Sequence, residues 1–172
     1  MRRREHFSPS GIKLRMVPKF LNPQKWSQAE SRAEELLAYL QPSLLTVQNR
    51  YDVVCYLKRL ITTRCQISCQ VFEVGSVPFK TYLPHGDIDL AAFTNNNNCE
   101  ALIYEIWDLL KTQEKRHDAH KFRVKQVRYI QAEVKILKFS VDNFVVDLSF
   151  NQLGGLCTLC FLEERKHTKN LK

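Results

Sequence analysis

The stretch Val71-Phe72-Glu73-Val74-Gly75-Ser76-Val77-Pro78-Phe79-Lys80-Thr81-Tyr82-Leu83-Pro84-His85-Gly86-Asp87-Ile88-Asp89-Leu90 decides how this chain folds. Gln66 to Val74 is rich in β-formers and stops at Gly75-Ser76, which predicts a strand ending in a turn. A loop with Pro78, Pro84 and Gly86 follows, and Asp87–Phe93 then alternates as a second strand. A period of two puts Asp87 and Asp89 on one side of that strand and Ile88, Leu90 and Ala92 on the other. Farther along, Phe144–Phe150 repeats the pattern, with Asp147 opposite Phe144, Val146, Leu148 and Phe150. Three acids on the wet faces of neighbouring strands repel one another without a counter-charge. Two Mg²⁺ or Mn²⁺ ions supply it, because hard cations prefer carboxylate oxygens and bridge them to substrate phosphates. A metal pair ~3.5–4 Å apart is a common device for in-line phosphoryl displacement. Backbone N–H groups at Gly75-Ser76 and the Ser76 hydroxyl can cradle a triphosphate beside such ions.

Taken singly, these signals are weak. An Asp-x-Asp is common on exposed strands, Asp147 alone is a surface acid near a hairpin, and Gly-Ser alone is a turn. Their order gives them weight: Gly-Ser closes one strand, ten residues of loop follow, and Asp-Ile-Asp-Leu opens the next.

Working outward, Ser27-Gln-Ala-Glu30 has the form of a capping box, and Ala33, Leu36, Leu37 and Leu40 continue at helical spacing. This predicts a helix over about Ser27–Leu40. Pro42-Ser43 opens a second, carrying Leu44, Val47, Tyr51, Val54, Leu57, Leu60 and Ile61 to about Thr63. Asn95–Asn98 is a polar break, and Glu100 to about Lys115 is a further helix with an apolar stripe. Phe122–Tyr129, Glu133–Val141 and Phe144–Phe150 are predicted strands, the last two joined as a hairpin through Asp142-Asn143. The pattern is that of an α+β domain with a mixed, largely antiparallel sheet packed against helices and preceded by two N-terminal helices.

The 172 residues suffice for about one domain with its own core. A 44% hydrophobic and 26% charged composition argues against a mainly disordered or disulfide-dense chain. No apolar run approaches the ~20 residues of a membrane helix, so no membrane partner is expected. The start has no apolar stretch after its arginines, and six cysteines without a secretory signal suggest reduced thiols in an intracellular protein of nucleus or cytoplasm. The net charge of +8 is compatible with a polyanionic partner and with mere solubility. Two blocks concentrate it. Residues 1–25 hold seven Lys/Arg against Glu5, net +6, in what we expect to be a flexible basic arm. Lys111–Lys138 holds nine against three acids, again +6, partly along one wet face of the sheet. Cys157-x-x-Cys160, the looser Cys65/Cys69 pair and the His117/His120 turn have metal-like residues, but buried thiols and hydrated histidines account for them better.

The run Val71–Leu90, with Tyr82-Leu83-Pro84 before the acids and Val146-Asp147-Leu148-Ser149-Phe150-Asn151 for the third, closely resembles the polymerase β-like nucleotidyltransferase superfamily. Within it the terminal nucleotidyltransferases, poly(A) polymerase and uridylyltransferase relatives, are most similar. The Arg32-Ala33-Glu34 and Arg50-Tyr51-Asp52-Val53-Val54 helices resemble a plant group with a poly(A)-polymerase/oligoadenylate-synthase substrate-binding domain. The resemblance covers about residues 26–164. It implies two metal ions held by Asp87, Asp89 and Asp147, with Gly75 and Ser76 on the nucleotide phosphates. The implied reaction is attack of an RNA 3′-hydroxyl on the α-phosphate of a nucleoside triphosphate. Lys80 would reach a phosphate or is a solvated loop lysine; Asn151 would meet the nucleotide sugar or simply forms a turn.

Gly86 stands where many terminal transferases carry Ser. After Glu164 the chain closes with the polar residues 165–172, where relatives continue into a helical domain over the nucleotide base. The expectation is therefore a catalytic domain without its substrate-binding partner domain, with base selectivity and water exclusion weakened. The rival expectation is a non-catalytic RNA- or protein-binding module or regulator of the same fold. In either case the apolar Leu153–Phe161 segment is expected to stay exposed and to aggregate or meet a protein partner.

Overall fold

In the computed structural model, residues 22–95, 99–116 and 122–169 are described, with only the backbone of 23 and 165–169. Most of the basic arm, the last three residues of the Asn95–Asn98 break, the His117/His120 turn and the last three residues of the polar ending lie outside them. The chain divides into two compact units, residues 1–41 and 42–172.

The first unit contains helix α1, Pro23–Leu40. It begins four residues before the expected capping box. Asn22 is the cap, its side chain accepting from Gln24 N–H at 2.9 Å, and Pro23 opens the first turn. Proline is favoured there because its missing N–H has no helical partner in any case. Ser27 therefore lies inside the helix.

In the second unit, Ser43 caps α2, Leu44–Arg64, by accepting from Thr46 N–H. Strand β1, Gln70–Val74, is shorter than its β-rich sequence predicts, because Glu105 takes the Gln66 and Ile67 N–H groups and holds the lead-in off the sheet. The following loop is not wholly irregular: Ser76–Phe79 forms a single helical turn, α3. Then come β2, Ile88–Phe93; α4, Cys99–Glu114; β3, Val124–Ile130; β4, Ile136–Val141; β5, Phe144–Phe150; and α5, Leu153–Lys169. Helix α5 was not expected from the sequence, and it carries the polar ending onward as helix. Among the described residues, no helix is long and apolar enough to cross a membrane.

The five strands form one sheet in the order β1-β2-β5-β4-β3. Only the β2–β5 pairing is parallel; the other three are antiparallel. Asp142, with φ 52°, makes the two-residue turn of the β4–β5 hairpin, a conformation Asp tolerates better than most residues. One face of the sheet is the core. Ile88, Leu90, Val146, Leu148, Leu137 and Phe139 meet Val54, Leu57 and Ile61 of α2 and Leu102, Ile106 and Leu110 of α4, all essentially inaccessible. Each such side chain contributes about 1.5–3 kcal/mol by leaving water. Because neighbouring residues of a strand point to opposite faces, the burial of Ile88, Leu90, Val146 and Leu148 also determines where Asp89 and Asp147 point.

Candidate active site

On the opposite face the ladder sets one lateral row of residues across all five strands. Val74 of β1 pairs with Asp89 of β2, Asp89 with Asp147 of β5, Asp147 with Lys138 of β4, and Lys138 with Arg128 of β3. Asp89 and Asp147 are thus direct neighbours across the parallel pair, whose strand spacing is about 4.8 Å. They sit mid-sheet because Ile88, Leu90, Val146 and Leu148 are committed to the core. Asp87 precedes β2 and takes no part in the ladder.

Lys138 joins the acids. Its Nζ lies 2.9 Å from the Asp147 carboxylate and 3.5 Å from Asp87 Oδ2. The hydrogen bond to Asp147, helped by the charges of Asp147 and Asp87, holds the Lys138 ammonium above its ordinary pKa. Asp89 is raised as well, first by burial and then by the like charges of Asp147 and Asp87, with Lys138 only partly offsetting them. Asp147 Oδ1 is buried, and the Lys138 ammonium lies 2.9 Å from it. The cluster therefore holds more negative charge than its one ammonium relieves, the electrostatic condition under which a divalent cation binds.

Gly75 borders this cluster. Its φ of 69° and ψ of −141° belong to a region open essentially to glycine. A Cβ at this position would run into Asp89 Oδ2 and stand 3.0 Å from Asp89 Cγ. Ser76 follows as the first residue of α3, and its carbonyl accepts from Thr81 N–H at 3.1 Å. Lys80 ends that turn in the left-handed conformation and is exposed. Gly75, Asp89, Asp147 and Asp87 are thus brought together, with Ser76 next in chain.

Asn151 is not part of this group. It lies four residues beyond Asp147, about 13 Å along an extended chain. There its N–H donates to Ala92 O and its Oδ1 accepts from Thr94 N–H, tying the end of β5 to the end of β2. The cysteines also differ from expectation. Cys157 and Cys160 are exposed rather than buried, whereas burial pushes the half-buried Cys65 thiol up to about 12. All six are unpaired. Among the described residues, no three His, Cys, Asp or Glu side chains stand grouped as a ready-made metal cage.

Two residues had no role assigned from sequence. Lys138 was one charge in a basic block, and only the β4–β5 register brings it to Asp147. Arg50, on α2, is 1% exposed and stacks between Tyr82 and Phe144, at 4.4 and 4.8 Å from their ring centroids. In the sequence it stands out as a bulky cation beside the apolar positions Val53, Val54 and Leu57, in the stretch that carries part of the family resemblance.

Residues 30–160 match the family described as poly(A) RNA polymerase, mitochondrial-like, central palm domain. This chain belongs to that family. The palm domain is a nucleotidyltransferase domain of poly(A)-polymerase type, as the Gly-Ser and Asp-x-Asp motifs imply. Solved structures agree on the fold. Cid1 in complex with the UTP analogue UMPNPP has a TM-score of 0.64 at 13% identity, over 82% of this chain and 41% of that one. The Cid1 poly(U) polymerase with MgGTP bound has 0.62 at 13%, over 74% and 39%. Cid1 with its short product ApU has 0.58 at 13%, over 73% and 37%. This palm chain thus spans about two-fifths of the length of those proteins. No curated protein matches it by sequence.

Proposed function

We propose that this palm domain transfers nucleoside monophosphates from a nucleoside triphosphate to the 3′ end of an RNA, using Asp87, Asp89 and Asp147 as metal ligands. The observation that carries this reading is the placement of Asp89 opposite Asp147 in the parallel β2–β5 ladder, with Gly75 pressed against Asp89. The surplus negative charge fits Mg²⁺ or Mn²⁺. Two such ions, when bound, would offset charge on the transferring phosphoryl group. The protein's own part begins with orientation. The sheet holds Asp89 and Asp147 in register, so their positions do not have to be organised when substrate arrives. Asp147 would take the proton of the attacking 3′-hydroxyl. The absence of a side chain at Gly75 lets the backbone lie against the Asp89 carboxylate, and Ser76 would supply a hydroxyl donor to a phosphate. Lys80 is retained as a phosphate contact from an exposed turn. Asn151 is left out, since its Oδ1 and N–H fasten strand ends.

Nucleotide and RNA partners are supported by the Cid1 complexes with a UTP analogue and with ApU. An intracellular setting, nucleus or cytoplasm, belongs to the same proposal and rests on the six unpaired thiols. Leu153, Phe161 and Leu162 of α5 are exposed, but no protein partner is proposed for them.

A second reading, a non-catalytic RNA-binding module, is favoured by one observation: an ammonium rather than a cage of acids sits against Asp147. Incubation of the purified chain with a labelled RNA, Mg²⁺ and each nucleoside triphosphate separates the two. Extension that vanishes on combined Asp87→Ala and Asp89→Ala substitution supports transfer. Salt-sensitive RNA binding without extension supports the module.

A further inference from the structure

Arg50 is fully inside the protein, yet among the described residues no carboxylate forms a salt bridge with it. Its Nη1 donates to the main-chain carbonyl of Asp87 at 3.2 Å, and Nη2 makes a longer contact of 3.5 Å with the carbonyl of Pro84. Nε has no partner. Burial lowers the guanidinium pKa from its ordinary value, while the nearby Tyr82 and Asp87 act the other way. Tyr82 and Phe144 cover the planar group with aromatic rings, a contact that strengthens when desolvated.

These contacts join three parts of the chain. Arg50 belongs to α2, whose Val53, Val54 and Leu57 are anchored in the core. Tyr82, Pro84 and Asp87 lie on the loop before β2, and Phe144 begins β5 three residues ahead of Asp147. Within that loop the one main-chain hydrogen bond among the described residues 82–87 is Gly86 N–H to Leu83 O, 2.9 Å. Sheet pairing does not reach Asp87. Its carbonyl is held by Arg50, and its side chain leaves from the adjacent Cα.

We infer that Arg50 is a positioning residue for the metal-ligating loop: itself packed against two rings, it holds the Asp87 carbonyl and so aims the Asp87 carboxylate toward Asp89 and Asp147. The inference rests on the proposed metal-binding role of those acids. It assigns to a buried cation a function that packing alone does not require, since an apolar side chain of similar volume fills such a space at little cost in stability.

The test uses the full chain with Arg50→Met, which keeps volume and loses both donors, and Arg50→Lys, which keeps charge but not the flat two-armed geometry. The first readout is amide hydrogen exchange without metal. The Gly86 amide is expected to exchange roughly tenfold faster in Arg50→Met, while core amides at Leu57 and Leu102 stay as slow as in the native protein. The second is Mn²⁺ titration followed by electron paramagnetic resonance, in which affinity is expected to fall about 10- to 100-fold. Lysine is expected to restore only part of either. Unchanged Gly86 exchange, or loop and core amides accelerating together, overturns the inference. Should Arg50→Met fail to fold, Tyr82→Leu removes one ring face and leaves Arg50 in place; it must accelerate Gly86 in the same selective way or the inference falls. If the native chain binds no Mn²⁺, the metal-site reading fails while the exchange result still decides the role of Arg50.

Discussion

Asp147 and Asp87 have the same side chain and face the same Lys138 ammonium, but they are held in place by different means. Asp147 sits inside a five-stranded ladder, paired with Asp89 on one side and Lys138 on the other. Its backbone cannot shift without breaking both pairings and withdrawing Val146 and Leu148 from the core. Asp87 lies one residue outside the sheet and depends on a carbonyl contact to a side chain 37 positions away. One limb of the site is thus secured by the fold and the other by Arg50. Sheet-held positions are accurate and unforgiving; a loop-held position can adjust.

The largest expected effects come from lengthening each acid by one methylene. Asp147→Glu pushes a carboxylate across a fixed strand spacing toward Asp89 or Lys138, and metal-dependent activity is expected to fall about 10²–10⁴-fold. Asp87→Glu is expected to retain far more, because its loop can move to absorb the extra length. Mn²⁺ affinity and RNA extension on both variants check this. Equal losses would mean that the loop is as rigid as the ladder.

Gly75→Ala comes next. The methyl group meets Asp89 Oδ2, and the backbone occupies a conformation closed to alanine. A destabilisation of about 1–3 kcal/mol is expected from the backbone alone, with displacement of Asp89 in addition. Denaturant unfolding measures the first part. If combining Gly75→Ala with Asp89→Gly, which empties the space, recovers none of the stability, then contact with Asp89 is not what confines position 75.

The elements that were legible in the sequence are those governed by local period. In Ile88–Phe93 and Phe144–Phe150 an apolar residue flanks each acid on both sides, so the outward direction of Asp89 and Asp147 followed from Ile88, Leu90, Val146 and Leu148 alone. The hairpin at Asp142 and the Ser43 cap were legible for similarly local reasons. What escaped depends on distance or on competing local signals. Ser27-x-x-Glu30 has the form of a helix start, yet Asn22-Pro23 provides an earlier one. Helix α5 opens on Leu153-Gly154-Gly155, and two glycines disfavour a helix. Gly155 is explained by packing, since a Cβ there would stand 3.2 Å from Val74 Cβ. Lys138 and Arg50 acquire meaning only from register and from a contact 37 residues long.

Asp89 sharpens the contrast through pH. Its native pKa is raised by burial and by Asp147 and Asp87. Between the unfolded value, near 3.9, and the higher native one, the folded protein binds the proton more tightly. The associated stability is complete below the unfolded pKa and is lost as pH rises through the native value. At pH 7 the ionised side chain therefore weakens the metal-free fold. Asp89→Asn is expected to raise Tm by a few degrees at neutral pH, with the difference closing by about pH 4. Mg²⁺ is expected to stabilise the native protein and not the variant. A Tm gain that persists undiminished at low pH would indicate better packing rather than relief of charge.

The smallest effect is expected at Lys138, and it bears on whether the ammonium is a stand-in for metal or a permanent part of the site. The side chain is 39% exposed, so its pairing with Asp147 is screened and amounts to a few tenths up to about 1 kcal/mol. Lys138→Met is expected to lower the metal-free Tm slightly, because three acids then face one another without their cation. The Mg²⁺-induced rise in Tm should grow, since stabilisation by a bound ion scales with its affinity and the ammonium no longer competes for the carboxylates. A larger Mg²⁺ shift favours a cation that gives way on metal binding and strengthens the transferase reading. An unchanged metal-free Tm together with a smaller Mg²⁺ shift would show that Lys138 assists the loaded site instead. In that case the ammonium beside Asp147 would cease to favour the non-catalytic alternative.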